Sequence, residues 1–390
     1  MKDIWPKVRA KFLFQQLKRP CAESDGTVTA FRDGEVVLRS ERREDGFTEA
    51  VQYIGYQGVK EGDLVIHSMD GFAGAIGVSK SDGKMSPVAH IYSAKRELDL
   101  RFYSFYLRHL AAVGYIQSLS KGIRERSTSF DPAIFAQIEL PVPPFKEQKE
   151  IADYLIDLHR PIKLIENEET LMREYIGSLL DSSFDSYRDQ YETKMLRGLI
   201  TQNKHYVSVA EDSIYDLLGV KWYGEGAFIR ESVLGTETSA SKLQKVLPGS
   251  LIYNRLFAWK ESFAVVGSEL ENTYASGEFP MFTCKPDLLV DFLNYYLLSP
   301  RMTSLITLQS QGASSISRSR WNESELIKSS IPLPAVDEQI KLINLINYHK
   351  KSLVDFRKRK ELQSQLVASV TANLVTGEFK LSQMKEVINA

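Results

Sequence analysis

Cysteine is almost absent from this sequence. Cys21 and Cys284 are the only two in 390 residues. They lie too far apart in sequence to form a redox or zinc spacing, so a reducing cytoplasm is the expected compartment. Histidine is scarce too: six are scattered along the chain with no His-x-His or His-x-x-x-His pair, so no metal site is expected. Long apolar runs are missing. "HLAAVGYI" (His109 to Ile116) falls far short of the ~20 residues needed to span a bilayer. "MKDIWPKVRA" at the start has no apolar core like that of a signal peptide. No membrane partner is expected. Net charge of one sign is also lacking, at −1 overall. Residues 1–145 carry 20 basic and 18 acidic side chains, and residues 200–335 carry 12 and 14. Binding to DNA would therefore rest on local patches, or on a partner that supplies much of the phosphate contact.

Catalytic loops are missing as well. No Walker lysine loop occurs, which excludes an ATP-driven motor. "DGFAGAIG" (Asp70 to Gly77) is glycine-rich but matches no dinucleotide or methyl-donor loop. "VPPF" (Val142 to Phe145) resembles the Asn/Asp-Pro-Pro-Tyr/Phe motif of amino-methyltransferases. Val142 stands where an amide or carboxylate must accept hydrogen bonds from the exocyclic amine, and valine cannot accept them. Glu147-Gln148-Lys149 has the Glu-x-Lys form of some nucleases but lacks a paired Pro-Asp, and reads better as a helix surface. No catalytic residue and no cofactor is expected. Apolar content of 43% and charged content of 25% are those of an ordinary globular protein.

What is present is a phrase written twice. "LPVPPFKEQKEIADYL" runs from Leu140 to Leu155 and "IPLPAVDEQIKLINLI" from Ile331 to Ile346. Other blocks repeat in the same order. "EGDLVIHS" (Glu61 to Ser68) resembles "PGSLIYNR" (Pro248 to Arg255), each a glycine turn before a β-rich run. "LRFYSFYLR" (Leu100 to Arg108) resembles "VDFLNYYLL" (Val290 to Leu298), an aromatic amphipathic helix. "KGIRERSTSF" (Lys121 to Phe130) resembles "QGASSISRSRW" (Gln311 to Trp321), a polar loop ending in an aromatic. The order reads as globular domain, long helix, globular domain, long helix. The divisions are 1–144 for the first domain, 145–199 for the first helix region, 200–335 for the second domain, and 336–390 for the second helix and tail.

After each phrase the apolar residues step by four and three. The first seam runs through Ile151, Leu155, Leu158, Ile165, Met172 and Leu179. The second runs through Leu342, Ile346, Leu353, Phe356, Val367, Val370 and Leu374. Asp337 is a candidate N-cap, and Gly377 stops the second helix. Pro161 interrupts the first seam where the second has Ser352, and a kink or break is expected there. If the seams pack together, the helices are antiparallel. The expected fold is α+β: two α/β target-recognition domains in tandem, separated and joined by two long antiparallel coiled-coil helices with pseudo-two-fold symmetry.

The doubled phrase, with the "NLVTGEF" ending (Asn373 to Phe379), resembles the specificity (S) subunits of type I restriction–modification systems over nearly the whole chain. The resemblance implies a DNA sequence-specificity subunit. Each globular domain would read one half of a bipartite site in double-stranded DNA. The helices would act as a ruler and as the dock for two methyltransferase (M) subunits, with endonuclease/translocase (R) subunits joining that core. Two other readings stay open: a coiled-coil scaffold that only bridges proteins, and a catalytic methyltransferase or nuclease fusion.

Base reading draws on Arg or Lys for guanine, Asn or Gln for adenine, and small hydroxyls. In the first domain the candidates are His67, Ser68, Lys80, Lys84, Lys121, Arg124, Arg126, Ser127 and Thr128. In the second they are Lys242, Asn254, Arg255, Lys260, Ser315, Arg318 and Arg320. For any single residue a solvated loop is the ordinary reading, and many contacts of this kind go to phosphate. Phe102, Phe105, Tyr106, Phe292, Tyr295 and Tyr296 could stack on bases, but their helical spacing assigns them to the core.

Overall fold

The computed structural model describes residues 5–42, 55–120, 129–310 and 320–383. The chain divides into two compact units. One comprises Met1–Ile165 with Arg359–Ala390, and the other comprises Glu166–Lys358. No helix among the described residues is long and apolar enough to cross a membrane.

Each unit is built on the same antiparallel sheet. In the first unit the strand order is Phe14–Leu17, Ala89–Ala94, Leu64–His67, Ile76–Val78. In the second it is Ile200–Asn203, Met281–Cys284, Leu251–Tyr253, Phe263–Val265. The central strands, "LVIH" and "LIY", are buried on both faces, which accounts for their unbroken β-branched and apolar character. A helix packs on each sheet: Leu100–Ala112 in the first unit and Val290–Leu297 in the second. Its aromatics are core. Phe102, Tyr103, Phe105 and Tyr106, and in the second unit Phe292, Tyr295 and Tyr296, are all buried.

The units differ in what is added to this frame. The first adds two small antiparallel strand pairs, Val28–Ala30 with Val36–Leu38 and Gln57–Val59 with Gly83–Met85. The second adds a five-stranded sheet in the order Tyr206–Ser208, Lys242–Lys245, Tyr274–Ala275, Ile214–Val220, Ala227–Leu234.

The Pro-rich phrases enter as strands. Glu139–Pro141 pairs with Lys7–Arg9, and Ser330–Pro332 pairs with Thr193–Met195. A buried tyrosine hydroxyl holds each: Tyr103 Oη donates to the Pro141 carbonyl (3.2 Å) and Tyr296 Oη to the Ser330 carbonyl (2.7 Å). The long helices follow, Phe145–Gln190 and Val336–Thr376. The second begins one residue before Asp337, so Asp337 lies in the first turn rather than at the cap. There its charge still favours the positive end of the helix.

Both units contain part of each long helix. Ile151 and Leu155 join Val370, Leu374 and Val375 in the core of the first unit. In the second, Ile176, Leu180 and Phe184 join Leu342, Ile346 and Leu353. Within the second unit Arg357 Nε donates to Glu169 (3.1 Å), and the rings of Tyr175 and His349 meet at 5.0 Å. Residue numbers rise on one helix as they fall on the other, which is antiparallel pairing.

The seam departs from its expected register after Ile176. Leu179 is only partly buried, while Leu180 and Phe184 are 3% and 0% exposed. These residues follow Ile176 at steps of four and turn toward the unit's own core. Leu158, Met172 and Phe356 are also partly buried, whereas Ile165 and Val367 are buried as the period requires.

Of the kink or break expected at Pro161, a break does not occur: the helix runs unbroken through it. An internal proline costs about 3 kcal/mol, a penalty that packing along the flanking turns offsets. Gly377 does end the second helix. Its φ is +78°, and a Cβ there would meet the Trp5 ring at 3.0–3.2 Å. Both facts call for glycine.

Candidate nucleic-acid interface

In each unit the central strand ends in a turn built by the side chain of a candidate residue. His67 ends the strand Leu64–His67, and its Nδ1 accepts from the Asp70 backbone N–H (3.0 Å). Burial pushes the His67 pKa down, so the ring is neutral at pH 7 and carries its proton on Nε2. In the second unit Asn254 Oδ1 accepts from the Leu256 N–H (2.9 Å). Both side chains spend one acceptor on shaping a turn.

The residue after each of these anchors the end of the polar loop. The Phe130 N–H donates to the Ser68 carbonyl (2.9 Å), and the Trp321 N–H to the Arg255 carbonyl (3.1 Å). The two sequence blocks are thus brought together at the same point in both units. The body of each loop lies outside the described residues. That applies to Lys121, Arg124, Arg126, Ser127 and Thr128, and to Ser315 and Arg318.

Placement separates the remaining candidates. Lys80 is exposed and pairs with Glu35 (3.0 Å). Lys242 is exposed at the start of its strand. Arg320 is held by Glu278 through two hydrogen bonds (3.1 and 3.0 Å). Arg255 pairs with Glu323, yet its buried Nε has no hydrogen-bond partner. A buried donor left unpaired is costly, which marks Arg255 as a group that gains from a further acceptor. Lys260 sits over Trp222 (3.8 Å to the ring centroid) and near Trp259 (5.0 Å).

Two of the candidates are buried. Lys84 is 3% exposed and its ammonium donates to the Glu23 carbonyl. Ser68 is 9% exposed beneath Phe130. The Lys84 bond ties its strand to the segment at Glu23, and the Ser68 bond to Phe130 is made by its backbone.

Sequence reasoning missed Trp222 and Tyr223. They are 41% and 51% exposed in the turn between strands Ile214–Val220 and Ala227–Leu234. Their signal was available: two adjacent aromatics in a turn, "KWYGEG", are not needed for a core. Exposed aromatics beside a cation suit a base or sugar face.

The same turn carries Glu225, which joins an ion network. Arg173 Nη2 donates to Glu225 (2.8 Å) and to Glu169 (2.9 Å). Arg357 donates to Glu169 (3.1 Å) and also pairs with Glu225. Burial alone would push both carboxyls up, but the arginine hydrogen bonds outweigh it and hold Glu169 and Glu225 below the ordinary range. A depressed acid stabilises the fold above its unfolded pKa of ~4.3 and loses that contribution as pH falls through the folded value. Carboxyl carbon NMR shifts should therefore place the midpoints of Glu169 and Glu225 below ~4.3. In Arg173→Gln both midpoints should move up.

Residues 23–171 match the family model described as the type I restriction modification DNA specificity domain. No curated relative matches the chain. Among solved structures, the chain is similar to one from work on complex assembly and conformational transition of the type I R-M system. That likeness has 13% identity, covers 96% of this chain and 98% of the other, and has a TM-score of 0.58. It is also similar to the type I restriction–modification S subunit from M. genitalium, at 12% identity, 96% coverage of each chain and a TM-score of 0.48.

Proposed function

We infer that the chain is the DNA sequence-specificity subunit of a type I restriction–modification system, the premise from which the finer roles follow. The observation that carries this reading is the doubled plan. Two units share one strand order, and in each the aromatic that ends the polar block, Phe130 or Trp321, bonds the turn at the end of the central strand. Residues 23–171 match the DNA specificity domain in the first of them. Each unit then reads one half of a bipartite site. Direct contacts come from the turn and loop at His67 and Lys80 in the first unit. In the second they come from Asn254, Arg255, Lys260, Lys242 and Arg320. The long helices set the number of unread base pairs and dock the methyltransferase subunits. Endonuclease subunits join through that core.

The chain itself is assigned no turnover. Val142 cannot accept from an exocyclic amine, and it packs against the first core cluster. Chemistry on the base is left to the partner, and the chain needs no cofactor.

The test is methylation-sensitive long-read sequencing of DNA from cells that express the chain with its methyltransferase subunit. A split motif with a fixed gap is expected. Replacing residues 1–144 by the equivalent part of a relative should change one half of the motif only. Purified chain with labelled methyl donor should transfer nothing above background. Methyl transfer by the chain alone, or a swap that alters both halves, would overturn the reading.

A further inference from the structure

The second unit shows how the reading surface is tied to the long helices, and the tie is ionic. The turn Trp222 to Gly226 reaches both of them. Arg173 of the first long helix and Arg357 of the second converge on Glu225. Lys350 of the second helix donates to the Gly224 carbonyl (3.2 Å).

On its other side the turn holds the candidate reading loop. The Tyr223 N–H donates to the Lys260 carbonyl (2.9 Å), and the Gly224 N–H to the Glu261 carbonyl (2.9 Å). Lys260 in turn sits over Trp222. An unbroken chain of contacts therefore runs from the helices through Glu225 and Gly224 to residues 254–261.

Two further observations mark this link as built rather than incidental. Tyr223 and Glu261 have φ of 59° and 58° and are the only non-glycine residues at positive φ among those described. Such strain persists only where the surroundings enforce it, and it concentrates at functional switches and clamps. Both also line a cavity of about 800 Å³, with Arg173, Tyr295 and Lys350. Leu298 packs against Gly224 at the rim of this cavity, and the arginine pairs with the lysine hydrogen bond add the polar contacts from the turn to the two helices.

We propose that Glu225, with Arg173 and Arg357, is a positioning clamp that fixes the second reading loop against the long helices and so limits the protein to one spacer length. This rests on the specificity-subunit reading above. The scale is favourable. One base pair is a rise of about 3.4 Å, the scale of displacement that the clamp would have to prevent. Base recognition needs only the loop itself and is kept.

The experiment uses the complex of the full chain with its methyltransferase subunits, on DNA carrying both half-sites at the native gap and at one base pair more and less. Wild type should methylate the native gap alone. Glu225→Gln and Arg357→Gln should raise methylation at the altered gaps to about a tenth or more of the native rate, with both half-site sequences unchanged. Arg357→Lys, which keeps the charge, should stay closer to wild type. The clamp is wrong if both Gln variants remain confined to one gap. It is equally wrong if they lose the sequence of the second half-site, or methylate at no gap while still assembling. If wild type methylates no split motif at all, the specificity-subunit reading itself fails, and that outcome is separable because it is read on the unmutated complex.

Discussion

Replacing Gln339 with Ala should cost the second unit roughly 3–5 kcal/mol, because each buried polar group left without a partner costs about 1–3 kcal/mol. Gln339 is 0% exposed. Its Oε1 accepts from the Leu289 N–H (2.9 Å), and its Nε2 donates to the carbonyls of Asp287 (2.8 Å) and Pro334 (2.9 Å). Leu289 is the N-cap of the helix packed on the sheet. One side chain therefore fastens the domain helix, the Pro-rich entry and the start of the long helix to each other. Truncation leaves the Leu289 N–H and the buried Pro334 carbonyl without this partner, exposes the Asp287 carbonyl to water, and opens a void. For a unit of this size the loss corresponds to a melting temperature lower by roughly 10 °C.

The first unit repeats the arrangement. Gln148 is 1% exposed, accepts from the Asp99 N–H (2.9 Å) and donates to the Pro143 carbonyl (2.8 Å). Gln148→Ala should also destabilise, by somewhat less, since it makes one fewer of these bonds. Gln365→Ala is the control, because that side chain is exposed and only bonds Glu361. Calorimetry on the three variants decides: if Gln339→Ala melts like Gln365→Ala, the Gln339 hydrogen bonds contribute nothing.

The reason for the repeated Glu-Gln was not legible in the sequence, although the repeat itself was. Periodicity reports which face of a helix is apolar, and the four-and-three steps identified Ile151, Leu155, Ile346 and Leu374 as buried. It says nothing about a polar residue whose partner lies 49 or 50 positions away, as Asp99 and Leu289 do. That Pro161 would not break the helix was illegible for a related reason: local propensity is a weak prior, and tertiary packing overrides it. Lys84, named as a candidate contact, lies in strand Gly83–Met85 and is 3% exposed; residue type alone does not report burial.

The shared sheet was readable because both copies keep the glycine turn and the β-rich run. The five-stranded addition in the second unit was not readable, because nothing in the first half repeats it. The turn at His67 and Asn254 was found by position alone. Trp222, Tyr223 and Glu225 escaped because they belong to that unrepeated part. On the proposed function it is also the part in which the two units would have to differ.

Lengthening both long helices together should lengthen the unread gap in the DNA site, whereas lengthening one alone should destroy assembly. The pairing gives the reason. Gln363 Nε2 donates to the Leu158 carbonyl (3.4 Å) in the first unit, while Arg357 meets Glu169 in the second. Four residues added between Ile165 and Glu166 only would put these two contacts out of register by about 6 Å at ~1.5 Å per residue. Either the first core loses Val370 and Leu374 or the second loses Leu342 and Ile346. Loss of methylation at every gap is then expected. A matching four-residue insertion between Lys358 and Arg359 restores the register. Both insertions fall where the chain passes from one unit to the other, so each core and the Glu225 clamp keep their own residues. Four is also one of the seam's own steps, so the apolar face is preserved with a turn of about 40°. An added ~6 Å corresponds to one or two base pairs at ~3.4 Å each. The doubly inserted complex should therefore methylate a motif with both halves unchanged and a gap longer by one or two base pairs. Sequencing of modified DNA reads this directly. Methylation at the original gap by the doubly inserted chain would show that the helices are linkers and not a ruler.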